Sequence, residues 1–267
     1  MYRWFSVMSG SAIALALGFV VACVDPAAAQ TVDEIIKRGK VVIAVDTTTP
    51  AYGMIGKDGQ PEGYDPDVAR LVGKYLGVPV EFVSVTPPNR IPYLLTNRVD
   101  MVISLFAVTP ERAQQVWFSI PYANSEAVLA APASRQLKTI DDLAGLRVGL
   151  PRGATQDMVL TPIAPKTTTI MRFDDEATAL QAMISGQIDV VGTGMLTFNA
   201  LNRNDPGKKY ENKIVLRQNF FCIGVRRGQT ELLQWLNSFI FTIKNDGQLD
   251  AISRKWREIP LPPLPVF

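Results

Sequence analysis

From residue 32 onward, apolar positions fall alternately into short unbroken runs and into stripes spaced three or four residues apart. The first pattern suits a strand buried on both faces, and the second suits a helix with one covered face. Residues 32–38 therefore read as a short helix stopped by Gly39, and 41–45 as a buried strand. A loop rich in Thr, Pro and Gly follows at 46–63, where Asp58-Gly59 signals a turn in a small hairpin. Within 65–76, Val68, Leu71, Val72 and Tyr75 share a helical face, and Gly77 closes the element. The alternation continues as strand 78–85, helix 88–97 with Ile91, Leu94 and Leu95 inward, strand 101–105 and helix 110–116. A second series runs through strand 127–131, helix 140–144, strand 146–150, helix 154–160, strand 168–173, helix 176–184 and strand 189–191. After a polar loop at 202–212 come a strand at 213–225 and a helix at 231–244. Leu232, Leu236, Phe239 and Ile243 line one face of that helix, and Gly247 marks its end. The proline-rich stretch 260–263 is expected to lie along the surface.

Strands alternating with helices predict an α/β protein of mostly parallel sheets flanked by helices, with ligands in the crevice at the carboxyl ends of the strands. The first residues carry a different pattern. Arg3, the uncharged run 11–22, Pro26 and then Ala27-Ala28-Ala29 form the three parts of a secretory signal, expected to be removed as 1–29. Its apolar run is shorter than the roughly 20 residues that span a bilayer. Val20-Val21-Ala22-Cys23 also has the form of a lipoprotein cleavage site, which would leave the chain anchored at Cys23. Removing 1–29 from 267 leaves 238 residues, enough for one or two domains, with Cys222 as a lone cysteine and no internal disulfide.

Composition removes several functions. The 27 Lys and Arg residues against 25 Asp and Glu give a net charge of +2, spread without a basic stripe, so no nucleic-acid partner is expected. The absence of histidine excludes histidine-activated nucleophiles and histidine metal sites. No metal and no cofactor is implied, and enzymology without histidine stays open.

Three stretches resemble the family 3 extracellular solute-binding proteins, which include polar-amino-acid binders of ABC importers. These are PEGYDPDVARLVGKYLG at 61–77, NRIPYLLTNRVDMVISLFAVTPERAQQVWFSIPY at 89–122 and LAGLRVGLPRGATQD at 143–157. The resemblance implies a two-lobed periplasmic-binding-protein-like fold joined by two hinge strands, with crossings at 122–126 and 218–222. Lobe 1 would comprise 30–123 and 221–267, and lobe 2 would comprise 124–220. It implies a monomeric periplasmic component that closes on a small carboxylate ligand, an amino acid or a relative of one, and serves an inner-membrane ABC permease. An enzyme resembling cyclohexadienyl dehydratases, or a periplasmic messenger for a signalling system, is the alternative. The enzyme needs a cleft acid, and 192–194 supplies Gly, Thr and Gly.

The resemblance also assigns roles to residues. Arg112, whose planar fork matches a carboxylate, would take the ligand's α-carboxylate; otherwise it is a surface helix charge paired with Glu111. Ser104 and Ala107 leave a strand end before a helix, where free amides can meet an anion. Ala107 offers its amide alone where many relatives have Ser or Thr, and Ser104 could equally be structural. From the other lobe come Gly153, Thr155 and Gln156 at a helix start. Thr155 matches a threonine that bonds the same carboxylate, unless it serves as a cap. Arg90 opens a helix, where the dipole disfavours a cation. It would reach a distal carboxylate as in glutamate- and aspartate-type relatives, or form a surface salt bridge; the loop 45–52 is read as uncharged and lacks their second arginine. Tyr52 would pack on the ligand's apolar part or plug its own loop. Gly194 stands where many amino-acid binders have the Asp that pairs with the α-ammonium, so either another acid reaches in or the ligand lacks that ammonium.

Overall fold

The computed structural model describes residues 1–2, 32–198, 202, 207 and 209–265. The expected signal beyond its first two residues, Cys23 with it, and residues 203–206 and 208 of the polar loop at 202–212 lie outside the described residues. Helix α1 (Val32–Arg38) and strand β1 (Val41–Val45) agree with the sequence pattern residue for residue. Asp58-Gly59 turns β2 (Met54–Ile55) back onto β3 (Pro61–Glu62). Helix α2 (Tyr64–Leu76) ends at Gly77, whose φ of 71° lets its amide reach the carbonyls of Gly73 and Lys74. Next come β4 (Val80–Ser84), α3 (Arg90–Leu95), β5 (Met101–Val102) and α4 (Pro110–Ala113).

The main departure is β6 (Val116–Pro132), one strand of 17 residues where the pattern suggested a helix end, a crossing and a separate strand. It is followed by β7 (Arg147–Pro151), α5 (Thr155–Leu160), β8 (Thr169–Phe173), α6 (Glu176–Ile184) and β9 (Val190–Gly194). Strand β10 (Tyr210–Arg226), again of 17 residues, runs antiparallel to β6 along nearly its whole length. Helices α7 (Thr230–Asn245) and α8 (Gln248–Arg257) complete the chain. The pattern missed α8 because Gly247 reads as a terminator. Its φ of 82° instead makes it the joint between two helices, the second of which buries Leu249 and Ile252.

Apart from the β2-β3 hairpin, the described strands form one sheet in the order β4-β1-β5-β10-β6-β9-β7-β8. Each outer half is parallel, and the two long strands cross the middle antiparallel. Alternation sends successive residues to opposite faces. Val41, Ile43 and Val45 thus join one core while Ala44 joins another, and Val190 and Val191 divide in the same way. The largest core of the first half draws on both ends of the chain, from Ile35 to Ile252, whereas the second half is filled from the middle, Leu129 to Tyr210. Two positions expected inward are not: Tyr75 is 43% exposed and Leu95 54% exposed. Tyr75 sits on the rim, edge-on to Phe239 and bonded to Gln248. The helix carrying Leu95 has six residues and follows a 3₁₀ turn at Pro87–Asn89, whose three-residue period rotates the apolar face.

A buried polar hub fastens the long strands to the loop after β5. The carboxylate of Asp65, in the GYD motif, accepts from the Leu105 amide at 2.8 Å and from the Tyr122 hydroxyl at 2.7 Å. Tyr64 donates to the Tyr122 carbonyl, and Arg257 donates to the Asn124 carbonyl. Gly63 precedes this hub with φ 134°, and a Cβ there would lie 2.5 Å from the Tyr52 carbonyl oxygen. Gly63→Ala should therefore lower the unfolding free energy by about 2 kcal/mol or more in urea titration. Gly59→Ala, at φ 77° with open space around it, should lose only about 1 kcal/mol.

Candidate functional site

A narrow cavity lies where the two halves of the sheet meet, with about 50 Å³ open to the centres of water molecules. Asp46, Arg90, Leu105 and Phe221 line it, as do Ser125, Glu126, Thr155, Gln156, Glu176, Gly194, Thr197 and Asn219. Ionisable and apolar groups share one enclosure. Asp46 emerges at the end of β1 and accepts from the amide and hydroxyl of Thr48. Its second oxygen lies 3.6 Å from the Arg90 guanidinium. Burial opposes charge on both, raising the carboxyl and lowering the guanidinium, and their mutual attraction offsets it. Reading the loop 45–52 as uncharged overlooked Asp46, and that oversight changes the picture of Arg90. Arg90 also donates to Ser104 and sits over the Phe106 ring. It is a buried, paired cation on the cavity wall and not a surface one.

Ser104 is fully buried, is absent from the cavity lining and serves Arg90 from behind. Ala107 is likewise buried behind the wall. Its amide donates to the Leu105 carbonyl, and it bridges to Phe221 of β10. The loop is zipped onto β10, with the Val108 amide donating to Phe220 and the Cys222 amide to Phe106. The expectation of free amides at a helix start fails here because α4 begins only at Pro110, capped by Thr109.

Arg112 is 6% exposed, so it is not a surface charge. One nitrogen donates to the Ala107 carbonyl at 2.7 Å and another to the Gly153 carbonyl at 2.9 Å, across the junction between the halves. No carboxylate among the described residues lies within ion-pair distance of it. Burial, reinforced by the like charges of Arg90 and Arg217, lowers its pKa to about 9. It stands beside the cavity and not on its lining. Gly153 meets it through its carbonyl and adopts φ 68°, a conformation that disfavours side chains.

Thr155 and Gln156 both line the cavity. The capping role considered for Thr155 does not hold: the cap residue is Ala154, and the Thr155 hydroxyl accepts from the Asn219 amide at 3.1 Å. Tyr52 is buried in the core, edge-on to Phe221, and closes its own loop; Phe221 is the aromatic that faces the cavity. The residues that sequence reasoning missed are Asp46, Glu176, Thr197 and Asn219. Glu176 carried a signal, since an acid beginning a helix favours the dipole and that bland role concealed it. It is 7% exposed and accepts from the Thr193 hydroxyl. Burial raises its pKa to about 7, against the pull of Thr193 and Arg90.

The model of the bacterial extracellular solute-binding proteins, family 3, matches residues 41–259. An arginine-binding protein of an ABC transporter from Escherichia coli is 30% identical over 221 residues, covering 81% of this chain and 90% of the relative. The solved structure of a solute receptor for L-cysteine from Neisseria gonorrhoeae superposes with a TM-score of 0.80 at 27% identity, covering 85% of this chain and 93% of that one. An ancestral amino acid-binding protein described as a precursor of cyclohexadienyl dehydratase superposes with a TM-score of 0.75 at 29% identity, covering 84% and 98%.

The titration of Glu176 gives a test by stability. Between its ordinary value of 4.5 and about 7 the folded protein holds a proton that the unfolded chain has released, so this group's contribution falls as pH rises through that window. The drop in urea midpoint from about pH 5 to about pH 8 should be smaller in Glu176→Gln than in the native protein; an equal drop contradicts the assignment.

Proposed function

Because the chain belongs to the bacterial extracellular solute-binding proteins, family 3, we propose that it is the periplasmic substrate-binding component of an ABC importer, exported by the segment 1–29 and closing on an α-amino acid. The observation that carries this reading is Arg112, a buried guanidinium with no acidic partner among the described residues, tied to Gly153 across the junction. A buried cation without a counter-charge is costly, and a ligand carboxylate supplies one. Two of its five N–H groups meet carbonyls, which leaves donors for a carboxylate. Thr155 would contact the same carboxylate from the second lobe, Gln156 would complete that wall, and Phe221 would pack on the apolar part. Closure would flex at 122–126 and 218–222, between lobes formed by 30–123 with 221–267 and by 124–220. In these stretches β6 and β10 pair with a register shift at Phe221 and Cys222. The names of relatives support an amino-acid ligand: arginine for the Escherichia coli protein and L-cysteine for the Neisseria gonorrhoeae receptor.

The test is calorimetric titration with L-arginine, L-glutamine, L-cysteine and L-glutamate. At least one should bind, and Arg112→Ala should weaken it by at least about tenfold, since a hydrogen bond to a charged group is worth about 1.5–3 kcal/mol. Undiminished affinity in that variant sinks the reading.

A second reading rests on Glu176. A buried acid with a pKa near 7 inside a cleft is what general acid catalysis requires, and it fills the gap that argued against an enzyme. The ancestral neighbour described as a dehydratase precursor keeps this reading in view. The purified protein incubated with prephenate or arogenate should give no aromatic product; turnover abolished by Glu176→Gln would make it a dehydratase.

A further inference from the structure

The sequence leaves a choice at Gly194: either another acid reaches into the cleft, or the ligand has no ammonium. We infer that Glu176, together with Thr197 and the amide oxygen of Asn219, receives the α-ammonium of the ligand in place of an acid at position 194. The inference rests on the amino-acid-binding reading above and names the residues that select within it.

Three acids line the cavity, and two are poorly suited to the task. Asp46 is engaged by Thr48 and Arg90. Glu126 is only half-buried, in the interior of β6, where water already solvates its charge. Glu176 is buried, has no basic residue within ion-pair distance among the described residues, and is aimed by Thr193, the neighbour of Gly194 in β9. Two further acceptors beside it are without partners. The Thr197 hydroxyl and the Asn219 amide oxygen are both buried on the cavity wall with no hydrogen bond. Thr197 is 1% exposed and Asn219 4% exposed. Leaving such atoms unpaired costs folding free energy; the Asn219 oxygen needs a donor, and the Thr197 hydroxyl can accept from one. Asn219 is oriented because its nitrogen already donates to Thr155, so its oxygen must look elsewhere.

An ammonium offers three N–H donors and no acceptor. The cavity offers three acceptors from three elements: a carboxylate at the start of α6, a hydroxyl in the turn after β9 and an amide oxygen on β10. One of them carries the compensating charge. Glycine at 194 is part of this arrangement. A Cβ there would lie 3.2 Å from the Thr197 hydroxyl and 3.8 Å from that of Ser125. An acid at 194 would press on Thr197 and fill the space its hydroxyl faces, so the charge has to come from the neighbouring helix. The ligand class that follows is an α-amino acid with a primary ammonium, and not the corresponding simple carboxylate.

The experiment is calorimetry on the purified protein with three amino acids, each against its des-amino analogue. The pairs are L-arginine with 5-guanidinopentanoate, L-glutamine with 4-carbamoylbutanoate, and L-cysteine with 3-sulfanylpropanoate. The amino acid that binds should do so at least about tenfold more tightly than its analogue. Glu176→Gln should remove at least about tenfold of the amino acid's affinity and leave the analogue within about twofold, so that discrimination collapses. Glu176→Asp, which keeps the charge, should retain part of the preference. A tenfold preference that survives Glu176→Gln overturns this inference and leaves the binding reading standing. A des-amino analogue that binds the native protein as tightly as its parent overturns it without any variant. Failure of all six probes to bind overturns both.

Discussion

A guanidinium buried at the meeting of two half-sheets, with backbone carbonyls as its neighbours and no acid within ion-pair distance among the described residues, is the constraint around which the cleft is organised. Arg112 holds the Ala107 carbonyl on its own side and the Gly153 carbonyl on the other. Carbonyl dipoles solvate a cation but do not neutralise it. A cation in want of an anion thus stands beside a cavity whose wall carries Glu176, an acid with no basic residue within ion-pair distance among the described residues. A zwitterion would meet both demands at once, which is the electrostatic basis of the proposal that the cleft takes an α-amino acid.

The precision of that enclosure depends on parts that never touch it. Asp65 binds the Leu105 amide and the Tyr122 hydroxyl, fastening the loop that carries Arg90's supporting serine to a long strand. Arg257, from the last helix, holds the Asn124 carbonyl at the point where β6 passes between halves. Burial raises the Asp65 pKa to about 7, and the two hydrogen bonds oppose that shift. The GYD motif is thus a fastening between the helix layer and the connecting strands, one hydrogen bond behind Leu105 of the cavity wall.

Much of the architecture was legible because it follows from local rules. Runs such as Val41–Val45 and the stripe through Leu232, Leu236, Phe239 and Ile243 carry their burial in their spacing. Gly39 and Gly77 stop helices by adopting positive φ. What escaped notice did so for local reasons as well. Gly247 looks like a stop and is a joint between two helices. Residues 116–132 contain two prolines and several polar positions, so no single period reveals one continuous strand. Leu95 has the right spacing, but the 3₁₀ turn before it rotates the face.

The cleft was legible in outline only. Arg112, Thr155 and Gln156 could be picked from motif context, since their segments lie at strand ends on either side of the crossing. Arg90 could be picked too, but its partner could not, because Asp46 is 44 positions earlier and pairs with it only through the parallel register of β1. Tyr52 and Ser104 sit one layer behind where spacing placed them, with Phe221 and Arg90 in front. Glu176, Thr197 and Asn219 come from three separate elements, and only packing makes them neighbours. The sequence by itself determined the alternation of strands and helices, the capping and turn positions and the cation at residue 112, all governed by interactions within a few residues. Only the tertiary structure decided which charges face one another, because that depends on the distance between segments far apart in the chain and on the loss of water between them.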